Sequence, residues 1–182
     1  MLQIRNYRVA DERSWLICRL LSFFDTDYYD DVKICKTTFT NGRVELVAVR
    51  GEEVLGLLDV EIDGNAATID SIAVHPRAQR QGVASKLLHE ALRRLPENVT
   101  SLDAWTRATQ SANAWYASAG FSENYRYLHV YKDSASGDDG FESPAGLSTP
   151  VQAFMHAPIE FENELRERYS RVHVCRQYLM RL

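Results

Sequence analysis

Ile72-Ala73-Val74-His75-Pro76-Arg77-Ala78-Gln79-Arg80-Gln81-Gly82-Val83-Ala84-Ser85-Lys86-Leu87-Leu88 is the stretch whose reading decides the fold. Residues 69–74 read as an apolar strand that stops at Pro76, because proline lacks the N–H that further sheet pairing needs. A polar bend follows. Val83, Leu87, Leu88, Ala91, Leu92 and Leu95 then fall on one stripe, the period of a core-facing helix. The free N–H groups at a helix start and the positive end of its dipole attract an anion. Gly82 and Ala84 keep bulk away from the backbone, so residues 79–84 predict a cradle for a diphosphate. No Gly-Lys-Ser/Thr follows, which excludes a Walker motif.

Composition bounds what surrounds this unit. With 182 residues, 45% of them hydrophobic and 25% charged, the chain reads as one soluble domain with an ample core. No apolar run approaches the roughly 18 residues that span a bilayer, and Met1-Leu2-Gln3-Ile4-Arg5-Asn6 is too polar for a signal peptide. Cys18, Cys35 and Cys175 are odd in number and widely spaced, which suggests neither a disulfide framework nor a zinc site and fits a reducing cytoplasm. A net charge of -4 argues against nucleic acid as a partner, since backbone binding needs a basic field. It fits a cationic acceptor, but also ordinary solubility, and discriminates nothing.

Working outward, residues 2–9 read as a first strand, and Asp11 as the N-cap of a helix with Ile17, Leu20, Leu21 and Phe24 at helical spacing. Residues 25–31, Asp-Thr-Asp-Tyr-Tyr-Asp-Asp, read as a loop or a short second helix. Strands are expected over 45–50 and 54–62, joined through Gly51-Glu52-Glu53, and over 66–74 after the turn Asp63-Gly64-Asn65. The helix ends near Pro96 and the next strand covers 99–105. That crossover makes the strands before and after the helix parallel. A short helix capped by Thr109 or Ser111 then ends at Gly120, and 125–132 is a strand with Tyr125, Tyr127, His129 and Tyr131 on one face. Residues 133–150 are rich in Ser, Gly, Asp and Pro, 158–169 carry a helix start with Phe161, Leu165 and Tyr169 in a row, and 172–182 alternate as the last strand. Residues 133–170 are thus an insertion between the last two strands. It covers the site, joins a homodimer or is a mobile excursion; the sequence does not choose.

The strand, Pro76, the Gln-x-x-Gly-x-Ala of Gln79, Gly82 and Ala84, and the phased helix resemble the acetyl-CoA motif of the GNAT superfamily of N-acyltransferases. Residues 109–121 look like its second signature, a helix bearing Ala and Tyr116 that ends in Gly120-Phe121, with Thr109 where many members have Asn. The resemblance covers about residues 1–132 and the last strand. It implies an α/β (α+β mixed sheet) GNAT-like fold in a single domain, 1–182. It also implies acetyl-CoA as cosubstrate, no metal, and direct attack on the thioester by a primary amine. The cofactor set it implies is Ile72, Ala73 and Val74 along the pantetheine, Gln79, Arg80, Gln81, Gly82, Val83, Ala84 and Ser85 around the diphosphate, and Thr109, Asn113 and Tyr116 from the second signature.

Chemistry then needs a donor and a base. A phenol is closer in pKa to a thiol than most side chains are, so Tyr116 is the candidate to protonate the leaving thiolate; packing on the cofactor or core is its other reading. An amine must lose a proton before attack. Alternation places Asp70 on the face of Thr68 and Ile72 as the candidate base, with Asp103 and Glu61 as rivals. His75 is expected at the surface, His129 and His173 near each other without forming a metal site, and Trp105 and Trp115 as core or pocket wall. The acids and tyrosines of 25–31 are expected beside the acceptor or in solvent. The reading is an N-acetyltransferase acting on a small-molecule amine. The alternatives are acetylation of a protein or peptide, and an acyl-CoA-binding module without turnover.

Overall fold

The computed structural model describes residues 1–107 and 109–182. Eight strands make one mixed sheet: β1 (Gln3–Asn6), β2 (Gly42–Arg50), β3 (Glu53–Asp63), β4 (Ala66–Val74), β5 (Ser101–Arg107), β6 (Ser122–Lys132), β7 (Ala153–Ala157) and β8 (Arg171–Arg181), in the order β1-β2-β3-β4-β5-β8-β6-β7. Among the described residues only β4 and β5 run parallel, as the helical crossover between them demands. The hairpins close where the sequence marks them, with Gly51 (φ +63°) and Gly64 (φ +59°) in left-handed turns.

Four helices cover the sheet: α1 (Glu12–Phe23), α2 (Val83–Leu92), α3 (Gln110–Ser118) and α4 (Glu162–Arg168). On one face α2 buries Val83, Leu87, Leu88 and Ala91 in the main core with Leu46, Leu58, Val60, Ile69 and Leu102. Each buried leucine contributes about 1.5–3 kcal/mol. Gly56 lets α2 come close: a Cβ there would meet Val83 Cγ1 at 2.7 Å. α1 packs on the opposite face through Trp15 and Cys18 against Val47, Val49, Val54, Leu57 and Ala73.

Several expectations are corrected. The first strand is shorter than 2–9 and ends at Asn6; Asp11 is the N-cap residue of α1 as expected, but its carboxylate makes no cap bond and accepts instead from Arg5 (2.6 and 2.8 Å) and from the Arg8 amide (2.8 Å). The helical stripe Ile17, Leu20, Leu21 and Phe24 is exposed, because Trp15, Cys18 and Arg19 take the buried face instead. His75 is buried, not superficial; its Nδ1 accepts from the Arg77 amide and fixes the turn at Pro76–Ala78. Ile72 does not share a face with Asp70. A β-bulge at Asp70, between the pairs Val60–Ile69 and Asp59–Ser71, flips the alternation, and Ile72 joins the α2 core. Residues 158–169 do carry the expected helix start, a 3-10 turn (Ile159–Phe161) that leads into the short α4. Residues 133–170 also contribute a strand that the sequence reading missed, β7, paired outside β6. Here Tyr169 is buried and Leu165 packs on the same small core as Val172 and Val174, while Phe161 stays exposed.

Candidate active site

β4 is paired with β3 along its whole length but with β5 only from Ala66–Ser101 to Ile69–Ala104. Beyond that point the two strands diverge, and β5 continues to Arg107 paired with β8 alone. The sheet therefore opens into a gap, with Ile72, Ala73 and Val74 on one lip and Trp105, Thr106 and Arg107 on the other. Backbone groups on the open edge of β4 are left for a guest with amide groups of its own.

The α2 side of this gap ends in a loop built to present N–H groups. Arg80 (φ +62°) and Gly82 (φ +72°) both adopt left-handed backbone, an uncommon state for arginine that curls successive amides into a concavity. Among the described residues, none accepts a hydrogen bond from the amides of residues 80–85; the first bond closing the helix runs from Lys86 N to Gly82 O, 3.0 Å. Gly82 is the N-cap, and a Cβ there would meet nothing within 4 Å, so the space over the loop is open. The side chains of the loop serve the loop. Gln79 Nε2 donates to Val74 O (3.1 Å) and Gln81 Nε2 to Arg77 O (3.0 Å), while Ser85 Oγ accepts from Trp115 Nε1 (3.2 Å), tying α3 to the start of α2.

α3 supplies the other wall. Thr109 is its N-cap through its carbonyl, which accepts from Asn113 N at 3.0 Å, and Gly120 (φ +94°) ends it in the left-handed state expected. Asn113 Oδ1 is buried without a hydrogen-bond partner, an acceptor awaiting a donor. Tyr116 lies deep in the main core, stacked on Tyr178 (5.0 Å between ring centres) and edge-on to Trp115 and Phe121. Burial pushes its phenol well above the usual tyrosine range, so it stays protonated.

On the α1 side of the gap stand side chains rather than amides. Asp70, pushed out by the bulge, accepts from Lys33 Nζ (3.2 Å), Thr37 Oγ1 (3.2 Å) and Ser71 Oγ (3.0 Å). The rivals are hydrogen-bonded too: Asp103 accepts from Thr68 Oγ1 (2.5 Å) and Gln177 Nε2 (2.6 Å), and Glu61 from Asn41 (3.1 Å). Asp59, missed at the sequence level, is fully buried beneath Lys36, 3.0 Å away, and desolvation lifts its carboxyl to about 7 despite that ammonium. A lone carboxylate inside Leu57-Leu58-Asp59-Val60 was the signal. Lys36 Nζ also bonds Glu45 and lies over the rings of Tyr7, Trp15 and Phe39, anchoring the segment that carries Lys33 and Thr37.

Among the acids of 25–31, Asp25, Asp30 and Asp31 are exposed to solvent and Asp27 is half-buried, and two of them are also paired. Asp30 pairs with Arg171 (2.5 and 2.7 Å) and Asp31 with Arg19 (2.8 Å), and Tyr28 Oη accepts from Arg107 N (2.8 Å). His129 stands opposite His173 on β8 and His156 on β7. Among the described residues no cluster of His, Cys, Asp and Glu suits a metal ion, and no helix is long and apolar enough to cross a membrane.

A family model described as an acetyltransferase (GNAT) domain matches residues 41–123, which hold β2, β3, β4, the cradle, α2, β5 and α3. Residues 41–123 match a GNAT acetyltransferase domain. The chain's fold is shared by solved GNAT structures at low identity. The ribosomal-protein-S18-alanine N-acetyltransferase of Escherichia coli superposes with a TM-score of 0.62 at 15% identity, over 100% of this chain and 94% of that one. A GNAT-family acetyltransferase from Staphylococcus aureus Mu50 gives 0.61 at 16%, over 100% and 99%. One from Elizabethkingia anophelis, solved with acetyl-CoA bound, gives 0.56 at 14%, over 100% and 98%. No curated protein matches the chain. In GNAT terms, the first signature forms the cradle and the second forms α3, both beside the gap.

Proposed function

We propose that the chain moves an acetyl group from acetyl-CoA to an amine acceptor by direct attack, and that the acceptor is a small molecule. The observation that carries this is the gap between β4 and β5, which ends at unpaired amides around an open Gly82. The residues fit the cosubstrate: an anion-seeking concavity for a diphosphate, a free strand edge for pantetheine amides, and an orphan acceptor at Asn113 Oδ1. Acetyl-CoA supplies the thioester, which an amine attacks to give an amide and free coenzyme A. The amides of residues 80–85 hold the diphosphate, with Arg80 beside them. An N–H on the free edge at residues 72–74 polarises the acyl oxygen. Asp70 takes a proton from the incoming amine, directly or through water. Tyr116 donates a hydrogen bond to the departing sulfur; a phenol of raised pKa remains a donor but does not readily part with its proton.

A small acceptor is supported by what walls the α1 side. Phe154, from the 133–170 insertion, packs on His129 (4.9 Å) and Tyr131 (4.9 Å), so the insertion narrows this side of the sheet. The free thiols of Cys18, Cys35 and Cys175 fit a cytoplasmic setting. Thiol release from acetyl-CoA against a panel of amines and peptides tests the reading. Release with small amines and none with peptides is expected; tight acetyl-CoA binding without release from any amine would make the chain a binding module instead.

A further inference from the structure

Arg107 is the last residue of β5 and stands on the lip of the gap, only 5% exposed. Its guanidinium meets neutral acceptors only: the carbonyl of Asp27, the hydroxyl of Tyr131 and, at 3.3 Å from Nε, the Nδ1 of His129. Tyr28 and Tyr131 enclose it, their ring centres 4.4 and 5.3 Å from Cζ. Its neighbours are treated differently. Arg19 pairs with Asp31, Arg171 with Asp30 and Arg176 with Glu123. Among the described residues no carboxylate pairs with Arg107. A buried charge without a counter-charge is costly and needs a reason.

Asp30, an acid that feels this charge, is itself taken up by Arg171, so among the described residues Arg107 has no carboxylate in direct contact. Nδ1 of His129 accepts from Arg107, so the imidazole hydrogen is assigned to Nε2, which points at Tyr127 Oη 2.8 Å away. Burial, then Arg107, His156 and His173, pushes His129 down to about 4, so it stays neutral. Trp105, 40% exposed, stands on the same strand and sheet face two residues before Arg107, edge-on to Tyr127, and gives the approach an aromatic wall. Asp70 faces this same side of the sheet from the opposite lip, and the chain's own Lys33 ammonium rests on it.

We propose that the amine accepted at this gap also carries a carboxylate, and that the guanidinium of Arg107 is the group that pairs with it. The acceptor is then an amino acid or a similar amino-carboxylate, its nitrogen toward Asp70 and its anionic group toward Arg107. The inference rests on the transferase reading above. It concerns the acceptor alone.

The test is thiol release with amino acids, each paired with its own amide, phenylalanine with phenylalaninamide and glycine with glycinamide among them. For the best pair, kcat/KM is expected to favour the acid by about 10-fold or more, as a charge-assisted bidentate contact allows. Arg107→Gln should erase that preference by raising KM for the acid, and Arg107→Lys should restore part of it. Amides turned over as well as their acids, or a preference that survives in a folded Arg107→Gln variant, would overturn the proposal and leave Arg107 a pin for the 25–31 loop. Where the variant does not fold, the acid–amide comparison in the unaltered protein decides alone. No thiol release from any amine would instead overturn the transferase reading.

Discussion

The two sides of the gap are made of different materials. On the α2 side the groups proposed to work are backbone amides, freed by left-handed conformations at Arg80 and Gly82 and by the start of α2. On the α1 side the proposed groups are side chains, Asp70 and Arg107, drawn from distant parts of the chain and held by partners such as Lys33, Asp27, His129 and Tyr131. A backbone site is written locally, in glycine and in the strand-to-helix order. A side-chain site is written in the tertiary structure. The first kind tolerates changes of side chain, whereas the second does not.

The sharpest way to break that contrast lies on the side-chain side. Asp70→Asn is expected to lower kcat by about 100-fold or more, the usual worth of a positioned base, while acetyl-CoA affinity holds. Steady-state kinetics beside a binding titration would show it, and an unchanged kcat would move the base elsewhere. Next, Tyr116→Phe should lower kcat by about 10-fold with affinity kept, if the hydroxyl serves the sulfur. An unaltered rate would leave Tyr116 to its stacking on Tyr178. Smallest of all, Gln81→Ala should change acetyl-CoA affinity less than about 3-fold, because its side chain bonds Arg77 O and the amide beneath it is retained.

Acid should also separate the two sides. His129 lies below its ordinary 6.5, at about 4, so between those values the unfolded chain binds a proton that the folded one refuses. Its contribution to stability is therefore intact above about 6.5 and is lost as pH falls toward 4. Asp59, raised to about 7, works in the opposite sense: the folded chain holds the extra proton, and its contribution fades as pH rises from the ordinary carboxylate range toward 7. Unfolding midpoints of His129→Gln should fall less than those of the parent from pH 6.5 to 4, and an identical slope would remove His129 from the account.

The same contrast explains what was legible in the sequence. The succession of strands along the chain through β6, the parallel β4–β5 pair, the cradle and the glycine end of α3 follow from local rules on proline, glycine and periodicity, whereas the place of β8 between β5 and β6 does not. The bulge at Asp70 was not legible, because it depends on register against β3, and it moved Ile72 to the other face. α1 misled because its apolar side chains outnumber the buried positions. The large ring of Trp15 and the pairing of Arg19 with Asp31 decided which face turned inward. Arg107 gave no signal beyond a charge at the end of a strand, since its partners come from residues 27, 28, 129 and 131. β7 was hidden by its shortness and by the polar run before it.

Calorimetric titration of acetyl-CoA into the folded chain and into Gly82→Leu tests the central claim most directly. The account predicts saturable binding by the parent and a loss of about 50-fold or more in the variant, through crowding of the amides. The left-handed backbone at residue 82 should cost the variant only about 1–2 kcal/mol of stability, leaving it folded. A folded parent protein that shows no binding of acetyl-CoA, or a folded variant that binds it as tightly as the parent, would contradict the account.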